Sequence, residues 1–148
     1  MVKHQPQQNL YNSIFDLTDK VSVVTGAGHL GSEISKALSD FGSEVFVVTR
    51  NPDKYKSLSK YKNIKLKRCD ITDKESFLVT LGEIGHVDIL VNNAFSEERK
   101  DVLDVTKDTW DSGIESMLSQ VFFCTQSALP NMLSVMTKVY FKKSKVQV

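Results

Sequence analysis

The segment Thr25-Gly26-Ala27-Gly28-His29-Leu30-Gly31 sets Gly26, Gly28 and Gly31 in a GxGxxG spacing. It follows the β-branched run Val21–Thr25 and opens a stretch with helical spacing. In that context each glycine has a physical reason. Gly26 permits a tight turn, Gly28 lets the backbone approach a pyrophosphate, and Gly31 lets the helix pack close to the strand. The free amides at the helix start, near His29 and Leu30, then face the phosphates. His29 reads either as a second phosphate contact or as an ordinary turn residue. The chemistry on offer is capture of a dinucleotide diphosphate.

The end of the next apolar run, Glu44–Thr49, bears on which dinucleotide. A carboxylate there would hydrogen-bond the ribose hydroxyls and select NAD. The sequence reads Val48-Thr49-Arg50-Asn51, with no acid. Thr49 leaves room for a 2′-phosphate and Arg50 can pair with it bidentately. NADP(H) is therefore expected over NAD(H). The other reading of Arg50 is a solvated loop cation.

Other reactive residue types form no convincing set. Tyr61 and Lys65 spell YxxxK but lie at the entry to an extended segment, where residues four apart are ~13 Å apart rather than one helical turn. Tyr140 and Lys143, with Ser134 and Ser144 nearby, have no adequate helix after them. Neither pair is expected to be catalytic. His4 and His86 lack partner patterns and read as surface residues. Cys69 and Cys124 are lone thiols without CxxC spacing, which supports neither a disulfide framework nor a zinc site and makes a reducing, cytoplasmic setting the default.

The elements that must position these residues alternate between two textures. Val21–Thr25, Glu44–Thr49, Ile64–Lys67 and Val87–Val91 read as strands. Leu30–Phe41, Pro52–Lys60 and Asp73–Ile84 read as helices, the last with Thr72 as N-cap and Gly85 as its stop. After a polar loop, Ser96–Asp101, Thr106 or Asp108 opens a long helix. Ile114, Met117, Leu118, Val121, Phe122, Thr125 and Leu129 line one side of it, and Pro130 need not end it. After Met136 the pattern blurs: Val139-Tyr140-Phe141 could be a fifth strand, and Lys142–Val148 is a basic tail. Alternating strands and helices imply parallel strands with right-handed crossovers. The fold class is α/β: a three-layer, Rossmann-like, doubly wound parallel sheet, truncated after the fourth or fifth strand. Residues 1–15 form a polar lead-in and 16–148 a partial dinucleotide-binding domain.

Composition narrows the partners. The chain has 148 residues, with 19 Lys plus Arg against 18 Asp plus Glu, so a net charge of +1 gives no general footprint for nucleic acid or an anionic membrane. No apolar run approaches the roughly 20 residues of a membrane span. The polar, Gln-rich segment Met1–Leu10 lacks the apolar core of a signal peptide.

Several separate segments resemble the short-chain dehydrogenase/reductase family, from about Phe15 to Met132. Phe15–Val21 resembles the lead-in to its first strand. Thr25–Gly31 resembles its TGxxxGxG turn, one residue short and with His29 near a usual glycine. Asp70-Ile71 resembles the pair that holds the adenine ring. Asn92-Asn93-Ala94-Phe95 resembles its NNAG signature, with Phe95 in place of glycine. Trp110, Phe122 and Leu129-Pro130-Asn131-Met132 resemble its long interface helix.

The resemblance implies cofactor contacts at Gly26, Gly28, His29, Leu30, Gly31, Thr49, Arg50, Asp70, Ile71, Asn92, Asn93 and Ala94. Asp70 could instead cap a helix. Asn93 could equally be structural, and Phe95 could line the crevice or cap the core. Carbonyl–alcohol interconversion by hydride transfer is implied, using a Tyr, a Lys one helical turn later, a Ser, and an Asn in the long helix. Counting from Trp110, that Asn falls on Met117, and the Tyr falls past Val148. The expectation is thus a cofactor-binding part without its active site, inactive alone. The alternative is a non-catalytic NADP-sensing or scaffold module. A homo-oligomer through the long helix 106–134 is compatible with both.

Overall fold

Val21–Thr25 forms β1, one of two inner strands, and its β-branched residues suit a surface covered on both faces. A computed structural model describes residues 14–95 and 100–143. The polar lead-in up to residue 13, residues 96–99 of the polar loop, and Ser144–Val148 of the basic tail lie outside the described residues. The other strands are β2 (Glu44–Thr49), β3 (Ile64–Arg68) and β4 (Ile89–Asn92). All pair in parallel, in the order β3-β2-β1-β4.

Helix layers cover both faces, which makes the sheet doubly wound. Alternation along β2 shows it. Val45 and Val47 pack with Val24, Leu58 and Ile64 and with Ile34 and Leu38 of helix α1 (His29–Asp40). Phe46 and Val48 pack on the opposite face with Val23, with Phe77 and Leu81 of helix α2 (Lys74–Ile84), and with Cys124 and Ala128. Pro52–Lys60 is a 3-10 segment kinked at Tyr55. The long helical region begins with α3 (Lys107–Ile114), passes through a π-helical turn at Glu115–Ser119, and continues as α4 (Gln120–Lys143).

Three local expectations are corrected. The N-cap of α2 is Asp73, which accepts from the Ser76 N–H at 3.1 Å, because the Thr72 hydroxyl is committed to Asp70. Val139-Tyr140-Phe141 is not a fifth strand: the α4 backbone runs through it to Lys143, with Pro130 inside the helix. Among the described residues β4 therefore has no strand on its outer side. Finally, His86 is not a partnerless surface residue. It is half-buried, with Nδ1 3.0 Å from the Asn131 carbonyl and Nε2 3.2 Å from Asp88.

Thr106 does open the long region, accepting from the Thr109 N–H at 3.2 Å. The apolar stripe from Ile114 to Leu129 faces outward, while Gln120, Cys124, Ser127 and Ala128 are buried, Cys124 and Ala128 within the core on one face of the sheet.

Candidate functional site

Parallel strands bring the loops after β1, β2, β3 and β4 to one edge, where folds of this type bind ligands. A cavity of about 640 Å³ lies there. Of the residues singled out in the sequence, Gly26, Gly28, His29, Leu30, Gly31, Thr49, Arg50, Asp70, Ile71, Asn93 and Ala94 line it. Asn92 does not; its amide donates to Thr125 Oγ1 on α4 at 3.0 Å. Phe95 lines the cavity and is exposed, which fits the crevice reading rather than a core cap.

The glycine turn is built as its spacing requires. Gly26 has φ +79°, where a side chain would be strained. A Cβ on Gly31 would collide with the Gly26 carbonyl, so this glycine sets how closely α1 approaches the turn. A Cβ on Gly28 would meet nothing within 4 Å. Gly28 is also the N-cap of α1 and supplies no side-chain cap, and the first turn carries no acid. The first-turn amides therefore lack a side-chain partner, and the positive end of the helix dipole opens toward the cavity.

Hydrogen bonds tie the loops after β1 and β4 together. Asn93 Nδ2 donates to the Thr25 carbonyl at 3.0 Å and to the Gly26 carbonyl at 3.2 Å. Buried Thr25 Oγ1 accepts from the Asn93 and Ala94 N–H groups at 3.1 and 3.2 Å. Asn93 thus acts as a brace for the glycine turn.

On the far wall, Asp70 Oδ1 accepts from the Thr72 N–H at 3.0 Å and the Thr72 hydroxyl at 2.8 Å. The backbone bond foremost, with the Arg50 charge helping against burial, holds its carboxyl below the ordinary range. Arg50 is exposed on the cavity wall.

Two residues on or behind this wall escaped the sequence reading. Arg68, at the end of β3, donates to the Arg50 carbonyl at 3.0 Å and pairs with Asp53 at 2.9 Å, bracing the loop after β2. Gln120 follows the π-helical turn and is buried against the cavity, and its Oε1 has no hydrogen-bond partner. Leaving such an acceptor unpaired costs about 1–3 kcal/mol. The available signal was the polar pair Ser119-Gln120 between Leu118 and the apolar run Val121–Cys124.

Neither Tyr–Lys pair is part of this site. Tyr61 packs, partly buried, against the core cluster that holds Val45 and Val47, and Lys65 pairs with Glu44 at the opposite, N-terminal end of the strands. Positions 140 and 143 lie on α4 about 30 Å along the helix from Gln120, at ~1.5 Å per residue. Met117 is exposed on the π-helical turn. Among the described residues no cluster of His, Cys, Asp or Glu could hold a metal ion. Nor is any described helix long and apolar enough to cross a membrane.

The fold and this edge define a Rossmann-type nucleotide-binding domain. Residues 20–139 match the short chain dehydrogenase family model. The chain belongs to that family of oxidoreductases, whose members bind nicotinamide dinucleotides. It is 34% identical over 125 residues to an uncharacterized oxidoreductase of Staphylococcus aureus (strain N315), covering 79% of this chain and 54% of that protein. Among solved structures, it resembles a putative short-chain alcohol dehydrogenase from Sinorhizobium meliloti 1021, with a TM-score of 0.70, 31% identity, and coverage of 82% of this chain and 52% of that one. It also resembles the Pseudomonas aeruginosa RhlG/NADP active-site complex, with a TM-score of 0.71, 27% identity, and coverage of 79% and 49%. The chain spans about half the length of the curated relatives it matches.

Proposed function

We propose that this chain is the NADP(H)-binding part of a short-chain dehydrogenase/reductase-type oxidoreductase. The observation that carries the reading is the uncapped start of α1 at Gly28, opening into a cavity bounded by Arg50 and Asp70. When bound, the nicotinamide supplies a hydride donor or acceptor for carbonyl–alcohol interconversion. The chain's own residues bind and orient. The amides of His29 and Leu30 face the diphosphate. Arg50, with its loop braced by Arg68, pairs with a 2′-phosphate, and no acid at Thr49 opposes it. Asp70 accepts from the adenine amine, and Ile71 gives the ring an apolar wall. The NADP in the RhlG complex supports the same choice.

Cofactor binding is the role these residues support, and Met117 stands where the family's Asn falls. Self-association through 106–134 belongs to the same reading, supported by exposed Trp110, Met117, Leu118 and Phe122.

Titration with NADPH and NADH by calorimetry tests the assignment. NADPH is expected to bind more tightly, and Arg50→Ala to erase most of that preference while sparing NADH. No heat with either coenzyme on folded protein sinks the reading. An unchanged preference in Arg50→Ala removes Arg50 from it.

A further inference from the structure

Gln120 Oε1 is the one buried side-chain polar atom without a partner among the described residues. The residue is 7% exposed and borders both the main cavity and an adjoining recess of about 220 Å³. The two spaces share Ile71, Thr72 and Gln120. An amide oxygen needs an N–H or O–H. Both the Thr72 N–H and its hydroxyl go to Asp70 Oδ1, and no protein donor reaches Gln120 Oε1. A donor for this oxygen comes from the cavity, as water or as part of a bound ligand.

We infer that Gln120 is a specificity residue of the cleft, accepting a hydrogen bond from the exocyclic amine of a bound aminopurine. This inference rests on the dinucleotide reading above. An exocyclic amine carries two N–H groups, and the cavity lining holds two acceptors for them, the Asp70 carboxylate and Gln120 Oε1. An oxo group at the same ring position would bring a third acceptor against them. A site built to pair with a donor discriminates strongly against an analogue that lacks it.

Binding of NADPH and of its hypoxanthine analogue, measured by calorimetry on the wild-type chain, Gln120→Leu and Gln120→Met, tests this. The wild type should prefer NADPH by about tenfold or more. Both variants should lower that ratio severalfold, weakening NADPH while the analogue, with one opposing acceptor gone, binds as well as before or better. They should also melt at the wild-type temperature or above, because the unpaired oxygen is gone. A merely structural glutamine predicts the reverse: a lower melting temperature and equal weakening of both nucleotides. NADPH binding with an unchanged ratio in the variant that folds overturns the role of Gln120 and leaves the coenzyme reading intact. Failure of the folded wild type to bind either nucleotide overturns both.

Discussion

Gly31 lies against the carbonyl of Gly26 so closely that a Cβ on Gly31 would stand well inside 3.0 Å of that oxygen and of Asn93 Nδ2. Two of the three neighbours are backbone atoms, which cannot swing aside. Gly31→Ala should therefore displace α1 from the turn, costing about 2–4 kcal/mol in urea unfolding. Gly28→Ala is the contrasting case. Its methyl meets nothing in the protein and its φ of −61° suits any residue, so stability should change by less than about 0.5 kcal/mol. The methyl would sit where the diphosphate approaches, and NADPH affinity should fall by about tenfold or more. Undiminished binding in Gly28→Ala would show that ligand does not come near this backbone.

Thr25 offers a second test, of the brace rather than the turn. Its hydroxyl accepts from two loop N–H groups and is 3.3 Å from the Val91 carbonyl as donor. Thr25→Val keeps the shape but strands the Asn93 and Ala94 amides. A loss of about 2–3 kcal/mol is expected, with Thr25→Ser within about 1 kcal/mol of wild type. Equal stability of the Val and Ser variants in urea would mean that the loops after β1 and β4 are held by something else.

What could be read from the sequence, and what could not, follows the nature of each signal. β1, β2 and α1 announce themselves because β-branched runs, glycine turns and apolar periodicity are local. The roles of Gly26 and Gly31 follow from one spacing and are met by one geometry. Asp73 and Thr72 are neighbours that could each cap α2, and only the Asp70–Thr72 hydrogen bonds decide between them. Val139-Tyr140-Phe141 has strand-like composition, yet the helix continues through it, since intrinsic preference yields to context. Gln120, Cys124, Ser127 and Ala128 form the buried face of α4 but are small or polar. A search for apolar periodicity finds the outward stripe instead. Asn92 and Asn93 share one motif resemblance, but successive residues leaving a strand point opposite ways, one toward α4 and the other toward the glycine turn.

Asp88 ties the entry of β1 to the entry of β4 and gives the acid limb of stability a named source. Burial pushes its carboxyl up, but bonds from the Val21 N–H, Lys20 and His86 outweigh this and hold it below the ordinary 3.8. A carboxyl with a lowered folded value contributes stability that is complete above the unfolded value and lost as pH falls through the folded one. Melting temperatures between pH 7 and pH 2.5 should fall chiefly below about pH 4. Asp88→Asn should start lower at pH 7 and fall less steeply, since the asparagine has no proton to take up. An acid limb of identical slope in the variant would assign it to other carboxyls, such as Asp70.

Cys124 governs the opposite limb. It is 2% exposed on the inner face of α4, and burial first, then the neighbouring Cys69, push its thiol from 9.0 up to about 11. The folded chain thus keeps this proton while the unfolded chain releases it. Stability is complete below about pH 9 and declines as pH rises from 9.0 toward about 11. The full loss is about 2–3 kcal/mol at 1.36 kcal/mol per pH unit. Urea unfolding at pH 8, 9, 10 and 10.5 should show this decline in the wild type and a shallower one in Cys124→Ala. The same burial keeps the thiolate population negligible near neutrality. A thiol reagent at pH 8 should leave Cys124 unmodified in the folded protein and react promptly once urea is added. Rapid labelling without denaturant would mean that α4 lifts from the sheet, and the alkaline decline should then vanish with it.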